Sequence, residues 1–174
     1  MANFGVTLSP DTDKSESGQI HNAQLFGEIA WLYTQSPLHK DWAVKSLEQW
    51  ILPAILTRQC RLYKRNGKPI AYVSWAYLSE EAEKRYARAS RDLHPKDWKS
   101  GDRGWLIDVI APFGDANEVT KDLRNNIFVN DVGRALRLSS HKPDEMRIIY
   151  VHGARAVGKA RDRNLSPTVE LGDE

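Results

Sequence analysis

Trp105-Leu106-Ile107-Asp108-Val109-Ile110-Ala111-Pro112-Phe113-Gly114 is the stretch on which the fold turns. Trp105 to Ala111 is the most apolar run in the chain, and it is short enough to be a central strand. Pro112 to Asp115 turns the chain into a helix expected over about 116–128, with Val119, Leu123 and Ile127 on its apolar side. Downstream, 135–138 and 146–151 read as a closing strand pair. Upstream, Arg61 to Lys64 and Ile70 to Trp75 flank Arg65-Asn66-Gly67-Lys68, and Asn66-Gly67 supplies residues that tolerate positive φ, so this is a β-hairpin. Between hairpin and central strand, Ser79-Glu80-Glu81 opens a helix with acids in its first turn. Before the hairpin come two helices. In the first, Leu25, Phe26, Ile29, Leu32 and Tyr33 form one stripe beginning near Asn22, and Ser36-Pro37 ends it. The second spans about 43–57 with Val44, Leu47, Ile51 and Ile55, and Pro53 should kink or divide it. Helices, a hairpin, a central strand, a helix and more strands make a mixed α/β (α+β) layer fold.

The 174 residues suit one domain, here 21–160, between a mobile tail over 1–20 and a polar tail over 161–174. Hydrophobic residues make up 41%, enough for a core, so wholesale disorder is excluded. Lys+Arg is 25 against Asp+Glu 23, which gives no reason to expect a nucleic-acid binder. The one cysteine, Cys60, rules out an internal disulfide framework and a multi-cysteine metal cluster. No apolar stretch approaches a membrane span, and the N-terminus does not read as a secretory signal. These features describe a soluble, cytoplasmic protein. Of the six tryptophans, Trp31, Trp50, Trp75 and Trp105 fall at apolar positions and read as core.

Asp108 does not belong in an apolar strand. Burying a carboxylate is costly unless it is paired, so Asp108 is either a structural acid satisfied by an arginine or amides, or an acid placed to hold a catalytic partner. Of the five histidines, His39 alone lies in a loop between two amphipathic helices, flanked by Leu38 and Trp42. On pattern alone a lone loop histidine is more often a surface or capping residue than such a partner.

Several segments carry a resemblance. Ile29-Ala30-Trp31-Leu32, Ser36-Pro37-Leu38-His39-Lys40-Asp41-Trp42, Ala71-Tyr72-Val73-Ser74-Trp75-Ala76, Ser100-Gly101-Asp102-Arg103 and Ile107-Asp108-Val109-Ile110-Ala111-Pro112-Phe113-Gly114 resemble, in order and spacing, the bacterial RTX toxin-activating lysine acyltransferases. The similarity covers roughly residues 25 to 153. It implies a fold similar to the GNAT acyltransferases and transfer of a fatty acyl group from acyl carrier protein to internal lysines of an RTX protein. It also implies a cytoplasmic, often dimeric, enzyme whose catalytic pair falls on His39 and Asp108. Val109 stands where a tryptophan is expected and Val73 where cysteine is frequent, departures that bear on the shape of the acyl pocket.

The implied chemistry has a definite obstacle. A thioester is already activated and needs no metal or redox cofactor, but a lysine with a pKa of ~10.4 is neutral at pH 7 only about once in a few thousand, a cost of roughly 4.6 kcal/mol. A histidine base is the direct remedy. Asp108 would then orient the imidazole or bind the ammonium before attack. Oxyanion donors are expected from the amides around Gly114, or from Arg103, which reads equally as an ion-paired surface residue. Ser36, three residues from His39, and Cys60, at the start of the hairpin, are the candidate nucleophiles for an acyl-enzyme, and direct transfer is preferred over that route.

The donor is read from what the chain lacks and from its charge. Pro112 to Glu118 holds one glycine and two acids, a poor cradle for the pyrophosphate of CoA, which favours acyl carrier protein. From Lys84 to Arg163 there are 17 basic and 11 acidic residues, a local +6 that would steer an acidic carrier. Arg134, Arg137, Arg155 and Lys159, with Arg161 and Arg163, are the docking candidates. The alternatives are an acyl-CoA-dependent N-acyltransferase of the same fold and a non-catalytic RTX-binding partner.

Overall fold

The computed structural model describes residues 5–8, 16–88, 92–138 and 146–157. The chain divides into two compact units, residues 1–75 with 108–119, and 76–107 with 120–174. It is an α+β fold whose strands pair both antiparallel and parallel, the class expected from the sequence.

The first unit holds strand β1 (Gly5–Leu8), helices α1 (Glu16–Gln35) and α2 (Val44–Leu56), strand β2 (Cys60–Arg65) and most of β3 (Lys68–Leu78). Leu25, Ile29, Leu32 and Tyr33 of α1 are at most 1% exposed, so the stripe read from the sequence is the buried face. Burying side chains of this size contributes about 1.5–3 kcal/mol each. Trp50, Ile51, Ala54 and Ile55 of α2 join that core. Helix α2 runs through the buried Pro53 rather than dividing there, and Thr57 closes it by donating both its amide and its hydroxyl to the Pro53 carbonyl.

β2 and β3 pair antiparallel around a two-residue turn, with Arg65 opposite Lys68. Asn66 and Gly67 sit at φ 52° and 77°, the left-handed pair that such a turn requires. Two features differ from expectation. Gly5–Leu8, inside the segment read as a mobile tail, pairs with β2, and α1 starts at Glu16 rather than near Asn22. The six residues before Asn22 hold a single large apolar side chain, the exposed Ile20, which hid that extra helix from a reading based on apolar spacing.

The second unit holds α3 (Glu80–Arg88), a short 3₁₀ turn (Pro95–Asp97), most of β4 (Arg103–Ile110), β5 (Val132–Leu138) and β6 (Met146–His152). Ser79 caps α3 as its sequence promised: its hydroxyl accepts the Ala82 amide at 3.2 Å and its carbonyl the Glu83 amide at 2.9 Å. β4 and β5 are parallel, with Trp105 opposite Arg134, and β5 and β6 are antiparallel, with Val132 opposite His152 and Leu138 opposite Met146. The helix expected over about 116–128 is α4 (Ala116–Asp122) followed by a wide π-type turn, Leu123–Ile127.

The interior of this second unit is organised by one buried acid. The Glu83 carboxylate accepts Trp105 Nε1–H at 2.8 Å, pairs with Arg103 at 2.8 Å and with Arg134 at 2.8 Å. Trp105, which is 1% exposed, also packs edge-on against Tyr86, at 5.3 Å and 84°. The tryptophan assignments divide. Trp50 and Trp105 are core as expected, and so is Trp98, whereas Trp75 is half-buried and Trp31 is 44% exposed, tilted against Phe113 at 5.8 Å. Trp31 precedes the buried Leu32–Tyr33 pair and falls on the outer side of α1, where an apolar residue gives no signal of its exposure.

Candidate active site

His39 and Asp108, drawn from distant parts of the sequence, meet inside the first unit. The path to His39 is set by the end of α1. Pro37 cannot extend the helix, and the chain folds into a tight turn. The Ser36 carbonyl accepts the amides of His39 at 3.0 Å and Lys40 at 2.9 Å, and the His39 carbonyl accepts the Trp42 amide at 2.9 Å. The imidazole thus leaves a rigid loop. It is enclosed edge-on by Tyr33, with ring centroids 4.9 Å apart, and by Trp42 at 4.7 Å.

Both ring nitrogens face oxygen. Ser36 Oγ lies 2.7 Å from Nδ1, and Asp108 Oδ1 lies 3.4 Å from Nε2. The side chains of His39 and Asp108 are 10% and 11% exposed, so the pair is largely desolvated without being fully sealed from solvent. A charge-assisted N–H···O⁻ bond spans about 2.7–2.9 Å, so 3.4 Å is a close approach without a formed hydrogen bond. The second oxygen of Asp108, Oδ2, accepts the hydroxyl of Tyr33 at 2.6 Å.

Tyr33 was legible only as part of the apolar stripe of α1. The signal that sets it apart is its chemistry, because a buried tyrosine hydroxyl must find a partner. Burial first, and the Asp108 charge next, push its phenol well above the usual tyrosine range. Tyr72 of β3 packs 6.1 Å from Tyr33 and is likewise raised, by burial and then by Cys60 and Asp108.

Cys60 lies in the same core, 3% exposed, and burial pushes its thiol from 9.0 up to about 12. A thiol that holds its proton more tightly when folded adds stability that is fully present below pH 9 and is lost as pH rises toward 12. The loss is about 1.4 kcal/mol per pH unit in that window. Melting curves between about pH 8 and pH 10 should therefore show a steeper loss of Tm for the wild type than for Cys60→Ala. Equal slopes would contradict the assignment.

The remaining predicted site residues take separate places. Gly114 has φ +92°, which fits a turn that other residues rarely adopt, and the adjoining Asp115 carboxylate pairs with Arg65 of the hairpin. Arg103 is committed to Glu83, at 2.8 Å, and to Glu80, at 3.5 Å. Arg134 is a correction to the docking set: it is 4% exposed and held by Glu83, with its guanidinium over the Trp105 and Tyr150 rings. A count of basic residues cannot separate a buried, paired arginine from a solvated one. Arg137 and Arg155 are exposed. Lys159, Arg161 and Arg163 lie outside the described residues.

In an α+β chain, an imidazole, a carboxylate and a hydroxyl brought together at a partly exposed position are the class of groups from which proton-transfer sites are made. Comparison with known proteins gives that class its family. The profile of the RTX toxin acyltransferase family matches residues 18–152, and the chain belongs to that family. Among its relatives, the RTX-II toxin-activating lysine-acyltransferase ApxIIC of Actinobacillus pleuropneumoniae is 42% identical over 139 residues, 80% of this chain and 86% of the relative. The protein-lysine myristoyltransferase RtxC of Kingella kingae is 45% identical over 118 residues, 68% of this chain and 70% of the relative. The protein-lysine myristoyltransferase HlyC of Escherichia coli is 39% identical over 132 residues, 76% of each. No helix among the described residues is long and apolar enough to cross a membrane.

Proposed function

We propose that this chain transfers a fatty acyl group from acyl carrier protein to the ε-amino group of internal lysines of an RTX protein, with His39 as general base and Asp108 as its partner. The observation that carries the proposal is the line Ser36 Oγ–Nδ1–His39–Nε2–Asp108, with its 2.7 Å and 3.4 Å spacings. The reading takes the tautomer in which Nδ1–H donates to Ser36 Oγ and Nε2, 3.4 Å from Asp108 Oδ1, is left to accept a proton. An ammonium nitrogen about 2.9 Å from both Nε2 and Oδ1 completes a triangle. Asp108 then binds the incoming lysine rather than orienting the ring, a task that falls to Ser36.

The steps follow. Nε2 takes one proton from the lysine ammonium, and the neutral amine attacks the thioester carbonyl. The N–C bond forms and the C–S bond breaks. The imidazolium returns its proton to the departing sulfur, and the second amine proton leaves to solvent through Nε2. Amides of the Ala111–Gly114 turn are the proposed oxyanion donors. Exposed apolar side chains on the same unit suit a fatty donor: Trp31 and Phe113 in contact, Leu38 beside His39 and Val109 beside Asp108.

In the opposite tautomer the Ser36 hydroxyl donates to Nδ1, and Ser36 becomes a nucleophile for an acyl-enzyme. Intact-mass measurement after mixing enzyme with myristoyl-loaded acyl carrier protein separates the two. Direct transfer predicts an unshifted enzyme mass and acylated lysines on the RTX substrate. An acyl adduct on Ser36 supports the covalent route, and transfer from myristoyl-CoA but not from the carrier overturns the donor assignment.

Carrier docking is proposed on the basic surface of the second unit. Arg137 of β5 stands directly opposite Arg147 of β6, and both are exposed. Like charges across a strand pair repel, and an anionic partner relieves that repulsion. Arg155 is a further exposed candidate, with Lys159 beyond the described segment. Arg137→Glu should raise KM for acyl carrier protein about tenfold at low salt and flatten its salt dependence. An unchanged KM would move docking elsewhere. Cytoplasmic location and homodimer formation belong to the same proposal, the latter tested by the mass of the species in solution.

A further inference from the structure

We infer that Tyr33 is a positioning residue for the acyl transfer: its hydroxyl holds Asp108 Oδ2 so that Oδ1 is the oxygen turned toward Nε2 of His39. This rests on the reading of His39 and Asp108 as the catalytic pair. Three contacts of Tyr33 bear on it at once. Its hydroxyl donates to Asp108 at 2.6 Å, its ring packs edge-on against His39 at 4.9 Å, and its carbonyl accepts the Ser36 amide at 3.1 Å. A carboxylate at the end of a side chain with two rotatable bonds has no fixed presentation unless one oxygen is tied. The 2.6 Å bond is of the short kind that a hydroxyl makes to an ionised acid. Because the oxygen is tied from α1, the acid is fixed to the same helix that launches the His39 turn.

The titratable groups around Asp108 are His39 from the turn, Tyr33 from α1 and Tyr72 from β3, with Cys60 of β2 facing the two tyrosines. The phenols of Tyr33 and Tyr72 and the Cys60 thiol are all raised by burial, so they stay neutral at ordinary pH. Toward the Asp108 carboxylate Tyr33 is therefore the donor. A second tyrosine, Tyr72, is near at hand, but its hydroxyl interacts with Ser74 of its own strand, and among the described residues the hydroxyl bonded to Asp108 is that of Tyr33.

The test is a double-mutant cycle with Tyr33→Phe, which keeps the ring, and Asp108→Asn, read with myristoyl-loaded acyl carrier protein and an RTX polypeptide. Tyr33→Phe should lower kcat about 10- to 100-fold with KM for the carrier within about twofold, and should lower it less than about threefold when Asp108 is already Asn. A structural residue would instead act by the same factor in both backgrounds, and that result overturns the inference. So does full activity in Tyr33→Phe, or a Tyr33→Phe chain that no longer melts cooperatively. If Asp108→Asn alone keeps wild-type kcat, the catalytic pair itself fails. If Asp108→Asn loses activity while Tyr33→Phe does not, only the clasp fails.

Discussion

A chain carrying His39→Ala is expected to acylate its RTX substrate about 10²- to 10⁴-fold more slowly than the wild type, with KM for the acyl donor little changed. The upper figure has a direct origin: without a base, the reaction waits on the roughly one lysine in a few thousand that is neutral at pH 7. The imidazole stands between Tyr33 and Trp42, so its removal leaves an aromatic slot of imidazole size. Added imidazole should therefore restore part of the rate to His39→Ala. Ser36→Ala should cost far less than His39→Ala if Ser36 only orients the ring, and as much if it carries the acyl group. The readout is the time course of lysine modification by mass spectrometry. An undiminished rate in His39→Ala would end the proposal.

The largest expected effect on stability comes from Glu83→Ala. This acid sits 5% exposed in the second unit and satisfies Arg103, Arg134 and Trp105 Nε1–H together. Its removal leaves the Arg134 guanidinium buried at 4% exposure without its counter-charge. Breaking a buried pair from one side costs about 3–5 kcal/mol, which for a chain of this size lowers Tm by about 10 °C. Glu83→Gln keeps an acceptor for Trp105 but not the charge, and should fall between. Thermal melts check both, and a loss below about 1 kcal/mol for Glu83→Ala would show that Arg134 finds water instead.

Much of the fold was written in local patterns. The α1 stripe, the Asn66-Gly67 turn, the Ser79 cap and the β4 run each became the element their spacing indicated, because each depends on neighbours in sequence. What failed depends on neighbours in space. Arg134 looked like a surface cation because nothing along the chain announces Glu83 across the core, and Trp31 looked buried because a helix face is assigned only by what packs on it. For the site, His39 and Asp108 stood out as a histidine and an acid in unusual settings, but their approach to 3.4 Å is a tertiary fact. Tyr33 stayed hidden for the opposite reason: the six carbons of its ring fit the apolar stripe so well that its oxygen gave no signal.

Cys60 is the only cysteine in the chain, and it is sealed in the core of the unit that holds His39 and Asp108. Its sulfur is thus a natural clock for that unit. An aromatic disulfide reagent can modify it only while this core is open, so the modification rate converts to an opening free energy without labels or engineered probes. The second unit, which has no sulfhydryl, stays silent in that signal, and the breathing of the half that carries the chemistry can be timed on its own.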